Sequence, residues 1–535
     1  MKTTKKKMSE GLTRRDALKL SGLALGGLAF GGAMVDAGAG KALAQSQLCN
    51  TTNGCNYPVD PATTKEYTYP TDYKLGSFKP DTPLDADEMR ITFLGTVFPP
   101  NRRAQQMMSI FVEVGPWVPE PNGPGKATDS FVFDCGAGVL ANYAAMGISF
   151  GRMDKVFISH LHADHMSDLS AIYCFGPAND RKSPLYVFGQ SPSGVRSPRW
   201  GNNPPKYYND GTNAFCKSLR EALRWHTESF SFLSSSYQGY PTAAEIQASW
   251  GLKDLPAPVG DDPWGDGYAL VPIQLEWRNN GKDAYGRPNG DNVAYYNKDT
   301  GVKITHFPVI HTRKGSMGYN LEWTNPTVAG APTLTMIYTS DTRPETNCID
   351  QAINVDPIAG VRRGVDVFIH EMILPPELLT MKNYPGLTWP DYSQPGFSAA
   401  VQNTTNIENS SHTPQGAFGY LLSQIDPRPK LAVLAHFPTA NDTVACALNS
   451  VRAHFPNDQY PVLGKDIIWA TDLIVLSVKK SGITQLMGQV SDYSFAPPQN
   501  VPTNQASPKY PSPTAQLDQS TLIQPGNNTY CENGY

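Results

Sequence analysis

The chain has 535 residues, of which 40% are hydrophobic and 17% charged, so it is long enough to bury a large core. Its 46 glycines and 46 prolines predict many turns but fall well short of a low-complexity composition. The formal net charge of −4 becomes −9 without residues 1–44, an acidic balance that argues against a nucleic-acid-binding surface, and we expect no nucleic-acid partner.

Residues 1–44 have the pattern of a cleaved export signal. A lysine-rich start leads to Arg14 and Arg15 and then to a mildly apolar run, and Ala42 to Ala44 has the small-x-small spacing of a signal peptidase site. The alternative is an N-terminal membrane anchor, which the many glycines in the run disfavour. The pattern resembles a twin-arginine signal, which implies passage through the twin-arginine export machinery as a folded protein and a periplasmic or secreted location. No other continuous apolar run reaches about 20 residues, so we expect no stable membrane insertion.

The remaining chain is predicted to hold one α/β domain between two irregular ends. Residues 45–88 are polar and proline-rich and predict an irregular arm. Within 89–485, apolar runs such as MRITFLG and KVFI alternate with helical patterns and are followed by polar clusters, which predicts an α/β fold with a site at a sheet edge. Residues from about 176 to 300 are rich in proline, glycine, asparagine and aromatic residues and predict an insertion. Residues 486–535 form a Pro/Gln/Ser-rich tail with little core potential.

The insertion carries several large aromatic residues for which two roles stay open. They would either form an aromatic wall over the site, which favours aryl or apolar leaving groups, or build a small core of the insertion itself. The tryptophans concerned are Trp200, Trp225, Trp250 and Trp264.

Eight cysteines are compatible with an oxidising compartment. Cys49, Cys55 and Cys531 lie near the two ends of the mature chain, and a disulfide between two of them is plausible, although the connectivity is not determined by the sequence. No CxxC motif occurs, so a cysteine-ligated zinc site is not expected.

The stretch FISHLHADHMSDL concentrates metal-ligand chemistry directly after an apolar run. His160, His162, Asp164 and His165 fall within six residues, at the end of a predicted strand and on the loop that follows. Imidazole nitrogen and carboxylate oxygen suit zinc, and also iron or manganese, and this spacing would serve two neighbouring ions. The alternative is a histidine-rich surface loop or core histidines bonded internally, which does not account for three histidines and an aspartate so close together.

The pattern HxHxDH resembles the signature of the metallo-β-lactamase superfamily, and the resemblance covers most of residues 89–480 apart from the insertion. FLGT and FDCGAG look like the opening strands of that family, with Asp134 orienting the ligand loop. IHTRKGSMGYNLEW, YTSDTRP and LAHFP look like its third, fourth and fifth motifs and would make His311, Asp341 and His436 ligands. The resemblance implies an αββα sandwich, here with a large insertion.

The same resemblance implies two divalent metal ions, of which zinc is the first expectation and iron or manganese the alternatives. Two ions about 3.5–4 Å apart generate a hydroxide nucleophile near neutral pH and stabilise charge on the attacked group. Asp164 would be catalytic as well as a ligand, and the sequence contains no GxSxG that would suggest a covalent nucleophile. The implied ligands are His160, His162 and His311 for one ion, Asp164, His165 and His436 for the other, and Asp341 as the bridge.

Two further segments resemble, in their order, the RNase Z and arylsulfatase-like branch of the superfamily. DVFIHEMIL supplies His370 and Glu371, and SSHTPQGAF supplies His412. In that branch a His–Glu relay assists proton transfer to the leaving group. We therefore predict His412 as proton donor or substrate contact and Glu371 as its partner, the alternative being that these residues only pack the loop.

Two positions depart from the family pattern, because Ser340 and Asp168 stand where glycines are usual. Asp168 is expected to add negative charge near the metals, which would position a ligand histidine or disfavour a highly anionic substrate. With the acidic mature chain, this argues against transfer-RNA processing. Outside the motifs, His306 is predicted to be structural, and His226 and His454 are predicted to be surface or packing residues.

The sequence thus predicts an exported dinuclear metal hydrolase whose partner is a small ester-like molecule: an aryl sulfate, a phosphodiester, a carboxylic ester or a lactone. One alternative is an iron-dependent oxidoreductase on the same fold, which metal analysis would separate. The other is a non-catalytic periplasmic metal-binding protein, whose function would withstand substitution of His165 or Asp341. The sequence carries no signal for an oligomeric state.

Overall fold

The computed structural model describes residues 75–490, with gaps at 121–122, 198–205, 230–236, 238, 356–358, 382, 388–389 and 440–443. The predicted export signal, most of the arm, the tail from residue 491, Trp200 and the three terminal cysteines lie outside the described residues. The strands are β1 (Gly76–Phe78), β2 (Met89–Gly95), β3 (Ser109–Glu120), β4 (Gly123–Phe133), β5 (Lys155–Phe157), β6 (Leu185–Gln190), β7 (Leu270–Leu275), β8 (Val293–Asn297), β9 (Val302–Pro308), β10 (Met317–Trp323), β11 (Leu334–Tyr338), β12 (Val367–Glu371), β13 (Leu431–Ala435), β14 (Ile467–Trp469), β15 (Ile474–Lys479) and β16 (Gly482–Gly488). The helices are α1 (Val139–Ala145), α2 (Ala163–Met166), α3 (Leu169–Phe175), α4 (Thr212–Ala222), α5 (Arg224–Ser229), α6 (Ala243–Ser249), α7 (Thr346–Ile353), α8 (Pro376–Met381), α9 (Phe397–Ser411), α10 (Gln415–Ser423) and α11 (Val444–Arg452).

The described strands form two sheets. One has nine strands in the order β1-β16-β15-β2-β3-β4-β5-β6-β7, and the other has seven in the order β14-β13-β12-β11-β10-β9-β8. Strands β4 to β7 run parallel to one another, and so do strands β11 to β14. In each sheet, the residues that follow these parallel strands therefore emerge at one edge, where α/β proteins commonly place their sites.

Three apolar clusters show how the layers pack. The largest joins the facing sides of the two sheets, and there the rings of Phe157 on β5 and Tyr319 on β10 meet at 5.5 Å. A second cluster packs helices α10 and α11, with Phe418 among their side chains, against the seven-stranded sheet. A third packs α1 and α3, with Tyr143 among their side chains, against the nine-stranded sheet. The predicted αββα sandwich is confirmed.

Burial along the strands follows from their position in these layers. Every residue of MRITFLG in β2 and of LAVLA in β13 is buried, as expected of strands covered on both faces. Strand β16 lies near one edge of its sheet and has mostly exposed and half-buried residues. The continuous apolar runs in the sequence therefore identify the central strands.

Two predicted boundaries need correction. The insertion predicted at 176–300 is too wide, because β6 and β7 complete the nine-stranded sheet and β8 forms an edge of the other. The described residues between β6 and β7, within 191–269, carry helices α4 to α6 instead. The arm is not irregular throughout, since β1 pairs in parallel with β16, and β16 itself extends three residues beyond the predicted domain end at 485. These strands were not recognised in the sequence because they lie in a stretch with many aromatic and turn-forming residues.

None of the helices in the described part of the chain combines the length and the apolarity required to cross a bilayer.

Candidate metal centre

The candidate site lies where several strands end abruptly. Asp134 after β4, Ser340 after β11 and His436 after β13 all have left-handed backbones, with φ of 56°, 54° and 57°. This conformation is unfavourable for residues with a Cβ and is found most often at functional sites. The sharp turns bring the three strand ends together: His436 Nε2 lies 3.4 Å from Asp341 Oδ2, and Ser340 Oγ lies 3.5 Å from Asp134 Oδ2.

Three predicted ligand histidines converge on one point. His160 Nε2 lies 3.0 Å from His162 Nδ1, which in turn lies 3.1 Å from His311 Nε2. Burial lowers the pKa of all three rings, that of His160 well below its ordinary value and that of His311 to about 4. Neutral imidazoles with ring nitrogens this close repel one another unless a proton or a cation lies between them. This nitrogen-rich geometry suits a divalent metal ion.

The other four predicted ligands, Asp164, His165, Asp341 and His436, form a second group. Asp341 Oδ1 lies 3.3 Å from His165 Nε2, and Asp164 Oδ2 lies 3.3 Å from His436 Nε2. Burial alone would lower the histidine pKa values, but the Asp341 and Asp164 carboxylates raise the pKa of His165 well above its ordinary range and that of His436 to about 10. The pocket thus holds more negative charge than neutral histidines balance, and a divalent cation would compensate it.

Asp341 connects the two groups, as expected of a bridging carboxylate. Its Oδ2 lies 4.0 Å from His160 Nε2 and 3.8 Å from His311 Nε2. Within each group the donor atoms lie within 4.8 Å of one another. The buried Asp341 Oδ1 and His165 Nε2 have no hydrogen-bond partner, as ligand atoms require. The residues therefore fit a divalent metal site, and the structure brings together all seven residues predicted as ligands.

Asp134 organises the ligand loop from behind, although it is not in either ligand group. Its Oδ1 accepts a hydrogen bond from the Ser159 backbone N–H at 2.8 Å, and its Oδ2 is 2.8 Å from His165 Nδ1. Tyr338 Oη also donates to Asp134 Oδ2, at 2.7 Å. Because Nδ1 of His165 is engaged in this way, its Nε2 is the nitrogen that faces the ligand group.

Glu371 and His412 form the predicted pair beside the second ligand group. His412 Nδ1 lies 2.8 Å from Glu371 Oε2, and Glu371 Oε1 also accepts from the Thr342 N–H at 2.5 Å. Burial opposes ionisation of both partners, yet His412 lowers the pKa of Glu371 and Glu371 raises the pKa of His412. The ring of His412 stacks on that of His436 at 5.6 Å. The pairing with Glu371 favours the protonated form of His412, whose ring lies beside the ligand groups.

The C-terminal end of α9 positions a predicted ligand, His311, and the predicted proton donor, His412. The carbonyl oxygen of Ser411 lies 2.7 Å from His311 Nδ1, which directs His311 Nε2 towards the ligands. The His412 N–H donates to the Glu408 carbonyl at 2.7 Å, so His412 directly terminates the helix. A helix C-terminus favours positive charge, which helps to keep His412 protonated.

His370 has a supporting role that the sequence did not reveal. It is fully buried, and its Nδ1 lies 2.5 Å from Thr339 Oγ1 while its Nε2 lies 3.3 Å from Thr413 Oγ1. Thr413 Oγ1 also donates to the Thr342 carbonyl at 2.7 Å. Burial lowers the pKa of His370 to about 4, so it acts as a neutral brace for the turn that contains Asp341.

Asp168 has a different role from the one expected. Its Oδ2 accepts the Leu140 N–H at 3.1 Å, in the first turn of α1, and its own N–H donates to the Cys135 carbonyl. A carboxylate at a helix N-terminus is stabilised by the helix dipole. Asp168 therefore fastens α1 to the ligand loop, and neither a hydrogen bond to a ligand histidine nor a substrate role is needed to explain it.

Of the tryptophans named for the predicted insertion, Trp250 and Trp264 are used for packing. Trp250 is buried, with its ring 4.7 Å from that of Tyr186 and 5.5 Å from that of Tyr295, and Trp264 packs partly buried against the same core cluster. Trp225 is 84% exposed. Trp250 and Trp264 therefore pack into or against the core between the two sheets, which is neither an aromatic wall over the site nor a separate small core of the insertion.

The histidines predicted to lie outside the site do so. His306 is buried on β9, where burial lowers its pKa to about 4. His454 is exposed and contacts the ring of Tyr420, and His226 is half-buried with Nε2 3.0 Å from the Cys174 carbonyl.

Sequence reasoning missed the polar residues that support the ligands. Ser159, Thr339 and Tyr338 are buried hydroxyl residues that contact Asp134, His160 or His370. Their only sequence signal is adjacency to a predicted ligand or to a motif strand, which many residues without such a role share.

Comparison with known proteins finds likenesses over parts of the chain. A family model described as "Anti-Pycsar protein Apyc1" matches residues 125–190. Ribonuclease Z of Treponema denticola is 38% identical over 61 residues, which are 11% of this chain and 20% of that protein. Ribonuclease BN of Salmonella paratyphi B is 32% identical over 108 residues, 20% of this chain and 32% of that protein. The matches thus span at most about a third of these relatives.

Solved structures are similar at lower identity. The metallo-β-lactamase fold protein YhfI from Bacillus subtilis is 13% identical with a TM-score of 0.37, covering 73% of this chain and all of that one. A long-form RNase Z from yeast is 14% identical with a TM-score of 0.39, covering 90% of this chain and 49% of that one.

The αββα sandwich and the two groups of histidines and aspartates fit a divalent metal site.

Proposed function

We propose that this chain is an exported dinuclear metal hydrolase that cleaves a small phosphodiester. The observation that carries the proposal is the pair of ligand groups joined by Asp341, with the Glu371–His412 pair at 2.8 Å beside them. Two donor sets sharing one carboxylate are the arrangement of two-metal hydrolytic sites. A buried acid–base pair next to them supplies the proton that a departing alkoxide or phenoxide requires.

Bound divalent cations would lower the pKa of water and stabilise negative charge on the attacked group. Asp164 is held ionised, because His165 lowers its pKa against the effect of burial, and it orients the attacking water as a hydrogen-bond acceptor. His412 enters the reaction protonated and donates its proton to the leaving oxygen. Glu371 holds the ring of His412 by Nδ1 and leaves Nε2 to face the substrate.

Phosphodiesters come first among the ester-like substrates because the curated relatives are named as ribonucleases, which cleave phosphodiester bonds. A small substrate is favoured over RNA because the chain without residues 1–44 carries a net charge of −9. Aryl sulfates, carboxylic esters and lactones are the other substrates to be screened.

The proposal includes export through the twin-arginine machinery to the periplasm or beyond. It is supported by the paired arginines and the following apolar run within residues 1–44. A fusion of residues 1–44 to a reporter protein tests it, with Arg14 and Arg15 both replaced by lysine as the control. Export of the reporter that persists in the lysine variant, or no export at all, would contradict it.

The activity is tested on residues 45–535. The metal content of the purified protein is measured, and phosphodiesters, aryl sulfates, carboxylic esters and lactones are screened in parallel. Asp341→Ala should lose both metal and turnover, whereas His454→Gln, which replaces an exposed histidine, should retain both. About two zinc ions per chain with phosphodiester turnover would support the proposal. Redox activity with bound iron, or metal without turnover of any ester, would contradict it.

A further inference from the structure

Ser340 occupies the turn immediately before the bridging carboxylate of Asp341. Its backbone is left-handed, with φ of 54°, a conformation that glycine adopts freely and serine does not. Ser340 is 3% exposed and lies among other buried polar groups. Serine at this position therefore carries a conformational cost, which the contacts of its hydroxyl can offset.

The hydroxyl of Ser340 joins a chain of short hydrogen bonds. Ser340 Oγ donates to Ser159 Oγ at 2.7 Å, and Ser159 Oγ donates to Asp134 Oδ2 at 2.7 Å. Ser159 Oγ also lies 3.1 Å from Nδ1 of the ligand His160. Tyr338 Oη lies 2.7 Å from Asp134 Oδ2 and 3.3 Å from Ser340 Oγ.

The donors and acceptors of this hydrogen-bond network determine which nitrogen of His160 carries the proton. Ser159 has one hydroxyl proton and gives it to the Asp134 carboxylate, so its oxygen acts only as an acceptor towards its other neighbours. It accepts one proton from Ser340 Oγ, and the contact with His160 therefore requires a proton on His160 Nδ1. His160 Nε2 is then the unprotonated nitrogen, and this is the atom that faces His162.

Asp134 determines in the same way which nitrogen of His165 faces the second ligand group. Its Oδ2 accepts from Ser159, Tyr338 and His165 Nδ1, which leaves His165 Nε2 to face Asp341 at 3.3 Å. One buried network thus reaches a ligand of each group, and Ser340 attaches it to the turn that carries the bridging carboxylate.

We infer that Ser340 is a positioning residue: it holds Ser159, whose oxygen accepts from His160 Nδ1, and so ties the ligand loop of His160 and His165 to the Asp341 turn. Its hydroxyl thereby raises the affinity of the site for divalent metal. The inference rests on the proposed dinuclear site and concerns the metal-binding step itself. Groups that support metal ligands in this way typically change metal affinity by about 10- to 100-fold.

Two substitutions separate the hydroxyl from the backbone conformation. Ser340→Gly removes the hydroxyl and relieves the left-handed turn, whereas Ser340→Ala removes the hydroxyl and keeps the Cβ. We expect both variants to bind zinc about 10- to 100-fold more weakly in competition with a chromophoric chelator. The thermal stability of the metal-free proteins should differ between the two variants. Ser340→Gly should be more stable than Ser340→Ala, because glycine tolerates the left-handed backbone. A loss of affinity common to both cannot then be attributed to general destabilisation.

The matched control is Ser130→Ala, which removes another buried serine hydroxyl, one that donates to the Arg152 carbonyl at 2.9 Å. It should bind zinc as the wild type does. Wild-type affinity in Ser340→Gly would overturn the inference while leaving the proposed function intact. A wild-type protein that binds no divalent metal would overturn the proposed function and the inference with it.

Discussion

Replacing His412 with glutamine should remove the proton donor and leave the ligands in place. His412 belongs to the buried Glu371 pair, at 2.8 Å, and none of the residues of the two ligand groups changes. The glutamine amide can still hydrogen-bond to Glu371, but it has no proton to transfer at neutral pH. The variant therefore separates proton donation from metal binding.

The expected magnitude follows from the role of the group. Proton transfer by a positioned side chain contributes about 10²- to 10⁴-fold to rate, which is roughly 3–5 kcal/mol of transition-state stabilisation. Breaking a buried ion pair costs about 3–5 kcal/mol of stability when one charge is left without partners. Here the Thr342 N–H still donates to Glu371 at 2.5 Å, so we expect a stability loss at or below the lower end of that range.

The assay compares substrates that differ only in the leaving group. Esters with a p-nitrophenolate leaving group need little protonation, whereas alkyl esters need it fully, so the His412→Gln rate loss should be about 10²- to 10⁴-fold for alkyl leaving groups and much smaller for p-nitrophenolate. Metal content, measured on the same samples, should equal that of the wild type. An equal rate loss for both leaving groups would refute the assignment of His412 as the proton donor, and a loss of metal would show that His412 is a ligand.

Three further outcomes are expected. Asp134→Asn weakens the hold on Ser159 and His165 and should lower zinc affinity by about 10- to 100-fold in chelator competition, and unchanged affinity would contradict the role of Asp134. Burial raises the pKa of Glu408 to about 9 from 4.5, so its carboxyl is protonated in the folded chain and ionised in the unfolded chain at neutral pH. The free energy of unfolding therefore falls as pH rises through this interval, by about 1.4 kcal/mol per pH unit. Urea unfolding at pH 6 and pH 8 measures this fall, which should be about 2–3 kcal/mol smaller in Glu408→Gln than in the wild type. Removing metal with a chelator should lower the free energy of unfolding by about 4 kcal/mol per site that had been held at 1,000 times its dissociation constant, and identical melting curves with and without chelator would contradict a metal site in the folded protein.

Much of the candidate site was predictable because several of its candidate ligands lie together in short sequence motifs. His160, His162, Asp164 and His165 are close in sequence, and a crowd of ligand-type side chains after an apolar strand has few structural explanations. The pairing of Glu371 with His412, 41 residues apart, was predicted only through the resemblance to a known family, and the structure places the pair at 2.8 Å.

The insertion shows where pattern reasoning failed. Strands β6 to β8 lie in a stretch rich in turn residues and aromatics, and a short apolar run there does not indicate which sheet it joins. Trp250 likewise packs against Tyr186 and Tyr295, which are 64 residues before it and 45 after it. Contacts at such separations depend on the order of the strands, which hydrophobic periodicity does not encode.

The sequence by itself determined the central strands and the identity of the candidate ligands, because burial on both faces demands continuous apolar runs and metal binding demands particular donor atoms. Only the tertiary structure decided which nitrogen of each histidine faces the site. That choice depends on what the other nitrogen contacts: Ser159 for His160, Asp134 for His165 and the Ser411 carbonyl for His311. For His165 and His311 these partners lie 31 and 100 residues away, and only the folded chain brings the end of β4 beside the His165 loop and the C-terminal end of α9 beside His311.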